Sequence, residues 1–181
     1  MGSTLQNDSI DYELFATVLG PSVPTAAIHN RTASISDLIE VPKSLQPATP
    51  LDLWYKYYRP PLEKDGLLSE ADYETKYFPD TETLEDFVNA NRNSLEIASN
   101  QLNVVDTTKY KSKQDACSKI DNCCGWWQFS RIGYNADKTE ALVHADYEHP
   151  KRTLMGSGYF VLLNRAAEGW NVIARDMTWI S

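Results

Sequence analysis

The sequence predicts an α+β domain in which N-terminal helices and loops pack on a C-terminal antiparallel sheet, a β-meander. Three observations carry that expectation. Residues Phe129 to Ser181 hold apolar, largely alternating segments joined by polar turns. The preceding stretch shows helical spacing, capping residues and proline-rich breaks instead of alternation. A length of 181 residues with 42% hydrophobic side chains suits one domain with a sizeable core. The expected layout is a single domain over residues 1–181. Residues 1–8 are read as disordered or expression-derived, 9–125 as mainly helical and loop-rich, and 126–181 as the sheet.

The first helix is expected to start at a cap on Asp8 or Ser9 and to run to Leu19. Ile10, Leu14, Phe15 and Val18 share one face, and Gly20-Pro21 ends it. Thr25 to Thr32 reads as a short strand and Ser36 to Glu40 as a brief helical turn. Val41 to Pro50 holds three prolines and reads as a loop. In Leu51 to Tyr58, Leu51, Trp54, Tyr55 and Tyr58 share a helical face, which is the signature of core packing. Ser69 to Tyr77 and Thr81 to about Asn91 each open with hydroxyl and acidic residues that suit a helix start. Ile97 to Val105 then reads as a strand and Ser112 to Ile120 as a short helix.

In the last third, Phe129 to Tyr134 alternates, and Asn135 to Thr139 supplies polar residues that tolerate a left-handed backbone in a hairpin loop. From Glu140 to Glu148, Ala141, Val143, Ala145 and Tyr147 fall on one face; Leu142, His144, Asp146 and Glu148 fall on the other. After Pro150-Lys151-Arg152, the run Tyr159 to Leu163 is apolar on both faces, as a central or doubly covered strand requires. Asn164 to Gly169 turns into the last strand, Trp170 to Ile180. Gly156-Ser157-Gly158 reads as flexibility at a strand entrance. A phosphate loop would be followed by a helix, whose amino end meets the anion.

This terminal region resembles a group of mostly bacterial proteins with no known activity. The residues that carry the resemblance are Phe129 to Asn135, Asp137 to Val143, Gly156 to Leu163, Gly169-Trp170 and Trp179-Ile180-Ser181. Many members of the group carry an export or lipoprotein leader, so the resemblance implies an exported protein that ends in a similar sheet. It implies no cofactor or catalytic residue. The chain departs from the group at Tyr147 to Arg152, where those proteins often have a Gly- and Cys-rich connection.

A formal charge of -8 argues against a nucleic-acid partner, because phosphate binding needs concentrated Lys and Arg. No apolar stretch is long enough to span a bilayer. Cys117, Cys123 and Cys124 cluster just before the sheet. An odd number allows at most one internal bridge, and Cys117 linked to Cys123 or Cys124 would close a short loop there. A closed zinc site wants four ligands, and no fourth Cys or His is nearby in sequence, so neither a metal nor a cofactor is assigned. The compartment favoured is secreted or periplasmic, with a leader removed.

The sharpest chemical candidate is His144 with Asp146 and Glu148, which share a face at two-residue spacing. A histidine can transfer a proton near neutral pH, and a neighbouring carboxylate can orient its ring. The bland alternative is a polar strand face in water. His29 reads as a structural histidine. No G-x-S-x-G elbow or H-E-x-x-H pair is present. Two functions follow as expectations. One is a non-catalytic, extracytoplasmic binding or interaction domain for an unknown protein or small-molecule ligand. The other is a small α+β-cone-type enzyme, lyase- or isomerase-like, with His144 and Asp146 or Glu148 doing acid/base work in a helix-covered pocket.

Overall fold

A computed structural model describes residues 9–22, 26–29, 31–34, 79–97, 102–105, 109–149 and 155–181. In chain order its elements are α1 (Ser9–Leu19), β1 (Ala26–His29), α2 (Thr81–Ala90), β2 (Val104–Val105), α3 (Lys113–Cys117), β3 (Gly125–Phe129), β4 (Gly133–Tyr134), β5 (Glu140–Glu148), β6 (Gly156–Ala166) and β7 (Gly169–Ile180). The strands form one sheet in the order β2-β1-β3-β5-β6-β7, with β4 also paired to β5.

The alternation of β5 explains its place. Ala141, Val143 and Ala145 point to one side, Leu142 and His144 to the other, and all five are buried. The first side meets α1: Leu14, Phe15 and Val18 join Phe129, Val143, Val161, Leu163 and Trp170 in one apolar cluster. Phe15 stacks on Phe129 with centroids 4.5 Å apart. On the opposite side Leu84 and Phe87 of α2 pack with Leu142, Phe160 and Leu162. At the other end of that side, α3 sets Ala116 and Cys117 against Ala27, Val105 and Trp126. Each fully buried Phe or Leu contributes about 1.5–3 kcal/mol by leaving water, so β5 and β6 are the strands most costly to displace.

Local chemistry sets the turns. Gly20 adopts φ +56° and ends α1, a conformation that costs a residue without Cβ little. In the hairpin, Asn135 Oδ1 accepts from the amides of Thr139 (2.9 Å) and Glu140 (2.8 Å), and Lys138 takes the left-handed conformation. The start of α2 is not capped by its own side chains: Asp80, at the N-cap, makes no side-chain cap bond. Glu140 of β5 does the work instead, accepting from the Asp80 amide at 2.7 Å and the Thr83 hydroxyl at 2.8 Å.

Several expectations need correction. The sheet is mixed: β1 lies parallel to both β2 and β3, whereas the β3–β5, β5–β6 and β6–β7 pairs are antiparallel. The sheet therefore recruits strands from the part read as helical and loop-rich. The strand expected over Phe129 to Tyr134 is two pieces, β3 and β4, both on β5. Between Phe129↔Ala145 and Gly133↔Leu142 lie Ser130, Arg131 and Ile132 on one side but only Val143 and His144 on the other, a β-bulge. Gly156-Ser157-Gly158 belongs to β6 itself, paired with Glu148, Tyr147 and Asp146. Of Ile97 to Val105, only Val104–Val105 is strand among the described residues. The expected turn at Ser36, the loop at Val41, the aromatic run at Leu51, the helix at Ser69 and the Lys151-Arg152 pair lie outside the described residues.

Helix α2 approaches the sheet tightly at Gly133, where an added Cβ would sit 2.3 Å from the Phe87 amide nitrogen and 2.4 Å from its Cα. Both are backbone atoms and cannot swing aside. Gly133→Ala is expected to destabilise the protein by about 2–3 kcal/mol through overpacking, read as a lower urea midpoint. An unchanged midpoint would show that α2 does not seat there.

Candidate functional site

His144 lies on β5 opposite the bulge between β3 and β4, and the bulge fixes its backbone. The Ser130 amide donates to the His144 carbonyl at 2.9 Å, but the His144 amide donates to Ser130 Oγ at 2.8 Å instead of a ladder carbonyl. Ser130 Oγ in turn donates to the Arg131 carbonyl at 2.8 Å. A serine in that register replaces a missing backbone acceptor, and it is fully buried.

The imidazole is buried too, at 1% exposure. The Phe160 ring, directly across the β5–β6 pair, meets it edge-on at 4.9 Å. Nε2 lies 3.1 Å from Thr178 Oγ1. Thr178 reaches this position through a second irregularity: Gly158 pairs with Trp179 and Tyr159 with Met177, leaving Thr178 as the extra residue of β7. On the other side of the ring, Nδ1 is 3.6 Å from Asp146 Oδ2, too long for a strong hydrogen bond, and has no hydrogen-bond partner among the described residues. The order is hydroxyl, imidazole, carboxylate.

Glu148 goes elsewhere. It pairs with Lys113 of α3, and both side chains are nearly half exposed. Such a pair contributes little, about 0–1 kcal/mol, but it commits the carboxylate to α3 and away from the ring. Of the three residues singled out from the sequence, the fold brings His144 and Asp146 together and leaves Glu148 in a surface ion pair. The strand face is not simply solvated: it is buried at Leu142 and His144 and opens toward Asp146 and Glu148.

Burial pushes the His144 pKa down from 6.5 to about 4, so the ring is neutral at pH 7. A neutral imidazole can share a proton with the Thr178 hydroxyl, but it carries no charge to draw Asp146 closer. His29 is also lowered, chiefly by burial; its Nδ1 accepts from the Arg31 amide at 2.9 Å, and its ring meets Trp126 edge-on. These contacts are structural in kind. Arg175 Nη2 donates to the Val18 carbonyl at 3.0 Å and so ties β7 to the last turn of α1.

The cysteine cluster forms one bridge, Cys117 to Cys123, with Cα atoms 5.6 Å apart, and Cys124 stays outside it. Tyr147 Oη donates to the Cys124 carbonyl at 3.1 Å. Among the described residues no group of three His, Cys, Asp or Glu side chains is placed to hold a metal ion. Sequence reasoning missed Ser130, Thr178 and Phe160. Phe160 could have been paired with His144 from the strand registers, but Ser130 and Thr178 depend on bulges that no residue pattern announces.

Two outcomes follow from this geometry. Ser130→Ala leaves the buried His144 amide without an acceptor, and a loss of about 1–3 kcal/mol is expected in equilibrium unfolding; a neutral result would mean that the bulge relaxes. The second concerns acid. In the unfolded chain the ring takes its proton near pH 6.5; in the folded chain it resists until about 4. The unfolded state therefore binds more protons in that window. Stability from neutral His144 is complete above the upper value and is lost as pH falls through the window, about 3 kcal/mol in all. His144→Asn should flatten that part of the stability profile, and urea unfolding of both proteins at pH 7 and pH 5 measures it.

No protein-family model, curated protein or solved structure matches the chain.

Proposed function

We propose that this chain is a non-catalytic, extracytoplasmic binding or interaction domain whose ligand is a protein or a small molecule. The observation that carries the reading is the state of His144: it is neutral and buried, and Glu148 is spent on Lys113. The base of the acid/base set is thus held inside the sheet, and one of its two carboxylates is engaged at the surface. The Cys117–Cys123 bridge supports an oxidising compartment, as does the resemblance of the terminal motif to exported proteins. A net charge of -8 supports a partner other than nucleic acid. The reading takes the domain as helices gathered before a C-terminal antiparallel meander, supported by the consecutive β5–β6 and β6–β7 pairs.

One observation favours the alternative, the small α+β-cone-type enzyme of lyase or isomerase kind. Thr178, His144 and Asp146 stand in the order of a hydroxyl, a base and an orienting acid, and Asp146 is partly exposed. Accessibility of the ring separates the two readings. Diethyl pyrocarbonate acylates neutral, solvent-reachable imidazoles, and His29 and His149, both partly exposed, serve as internal references. In the native protein at pH 7, His144 is expected to react at least about tenfold more slowly than His149, catching up only when the fold opens. Reaction at the rate of His149 would sink the binding-domain reading and leave the enzyme.

A further inference from the structure

We propose that the Cys117–Cys123 disulfide is a redox latch: its reduction releases α3 from the sheet and uncovers Trp126, while the rest of the sheet stays folded. The inference goes beyond the binding reading and does not depend on it.

A five-residue helix does not hold itself together, because nucleation costs more than one turn of hydrogen bonds returns. Among the described residues, contacts of four kinds act on α3. Ser112 Oγ accepts from the Asp115 amide at 3.1 Å and caps the first turn. Lys113 reaches Glu148 at the surface. Ala116 and Cys117 cover Ala27, Val105 and Trp126. The disulfide ties the end of the helix to the residue two positions before β3. The cap is local and cannot dock the helix, the ion pair is solvent-screened, and α3 itself buries only two small side chains, with Tyr110, Ile120 and Cys123 partly buried beside them. Among the described residues, the disulfide is the covalent cross-link between the end of α3 and the residues that lead into β3.

The consequence is confined by how the core is divided. Ala116, Cys117 and Trp126 belong to a cluster separate from the one under α1 and the one under α2. Freeing α3 removes cover from Trp126 without opening either of the others. The indole Nε1 of Trp126, buried with no hydrogen-bond partner among the described residues, gains water as the helix leaves.

The chemistry is ordinary thiol–disulfide exchange with an external dithiol. One reagent thiolate attacks Sγ of Cys123, the less buried residue of the pair, and Cys117 leaves as a thiolate that takes up a proton. The second reagent thiolate then attacks the mixed disulfide and releases Cys123 as a thiol. Two electrons pass to the protein, and the reagent closes to its own disulfide.

Hydrogen exchange on the full chain tests the latch, comparing the oxidised protein, the protein reduced with dithiothreitol, and Cys117→Ser/Cys123→Ser. The Ala116, Ser118, Ile120 and Cys123 amides, which hold the turns of this segment, are expected to exchange at least about tenfold faster in the last two samples, with β5 and β6 unchanged. Tryptophan emission should shift to the red and return on reoxidation, and the shift should be absent in Trp126→Phe. Cys124→Ser should behave as the parent. Equal protection in oxidised and reduced protein overturns the proposal. So does loss of protection spread evenly through β5 and β6, which would make the bridge a staple of the whole fold, and so does purified protein whose mass shows no bridge.

Discussion

A strand covered on both faces has no water to offer its polar groups, and β5 is such a strand. With α1 below it, α2 above it, β3 and β4 on one edge and β6 on the other, the backbone polar groups from Ala141 to Ala145 must find their partners within the protein. This requirement accounts for the neighbours of His144. Its amide, displaced from the regular ladder by the bulge, takes the Ser130 hydroxyl. Its ring takes the Thr178 hydroxyl on one side and the edge of Phe160 on another. An imidazole suits the position because it can be neutral; a carboxylate or an ammonium there would carry a far larger burial cost.

The same economy of partners runs through the helices. Glu140, at the start of β5, stands in for the missing cap of α2, so the strand that α2 covers also terminates it. Burial raises the Glu140 pKa and the accepted hydrogen bonds oppose that rise. Asn91, at the other end of α2, donates to the Phe87 and Arg131 carbonyls and accepts from the Arg131 amide, which closes the helix onto the bulge. Both ends of α2 are therefore tied to the segment that positions His144. The site and α2 are thus joined through shared hydrogen bonds, whereas α3 sits on a separate cluster.

The open end of the sheet is built differently. Met155, Met177 and Ile180 are exposed, and β7 is the outermost strand among the described residues. Two register shifts interrupt its pairing with β6. Irregularities of this kind, on the edge of a sheet, discourage a further strand from adding in register. The irregularity near Tyr159 also delivers Thr178 to His144, so one bulge serves both the edge and the interior.

Much of this was legible in the residues. Period-2 alternation located β5, the apolar run Tyr159 to Leu163 located β6, and the polar Asn135 to Thr139 run located the hairpin, because these signals are local. Helical spacing and the Gly20-Pro21 stop located α1, and cysteine spacing narrowed the bridge to two pairs. What the sequence could not supply were relations between distant segments. The parallel docking of β1 beside β3, the capping of α2 by Glu140, and the choice of Cys123 over Cys124 depend on which surfaces meet. The character of His144 was decided in the same way. By itself the sequence determined that a histidine and two carboxylates share one strand face. Only the tertiary structure decided that Phe160 and Thr178 pack on the first, that Lys113 takes the last, and that the ring is neutral, because burial is a property of what packs on a strand and not of the strand.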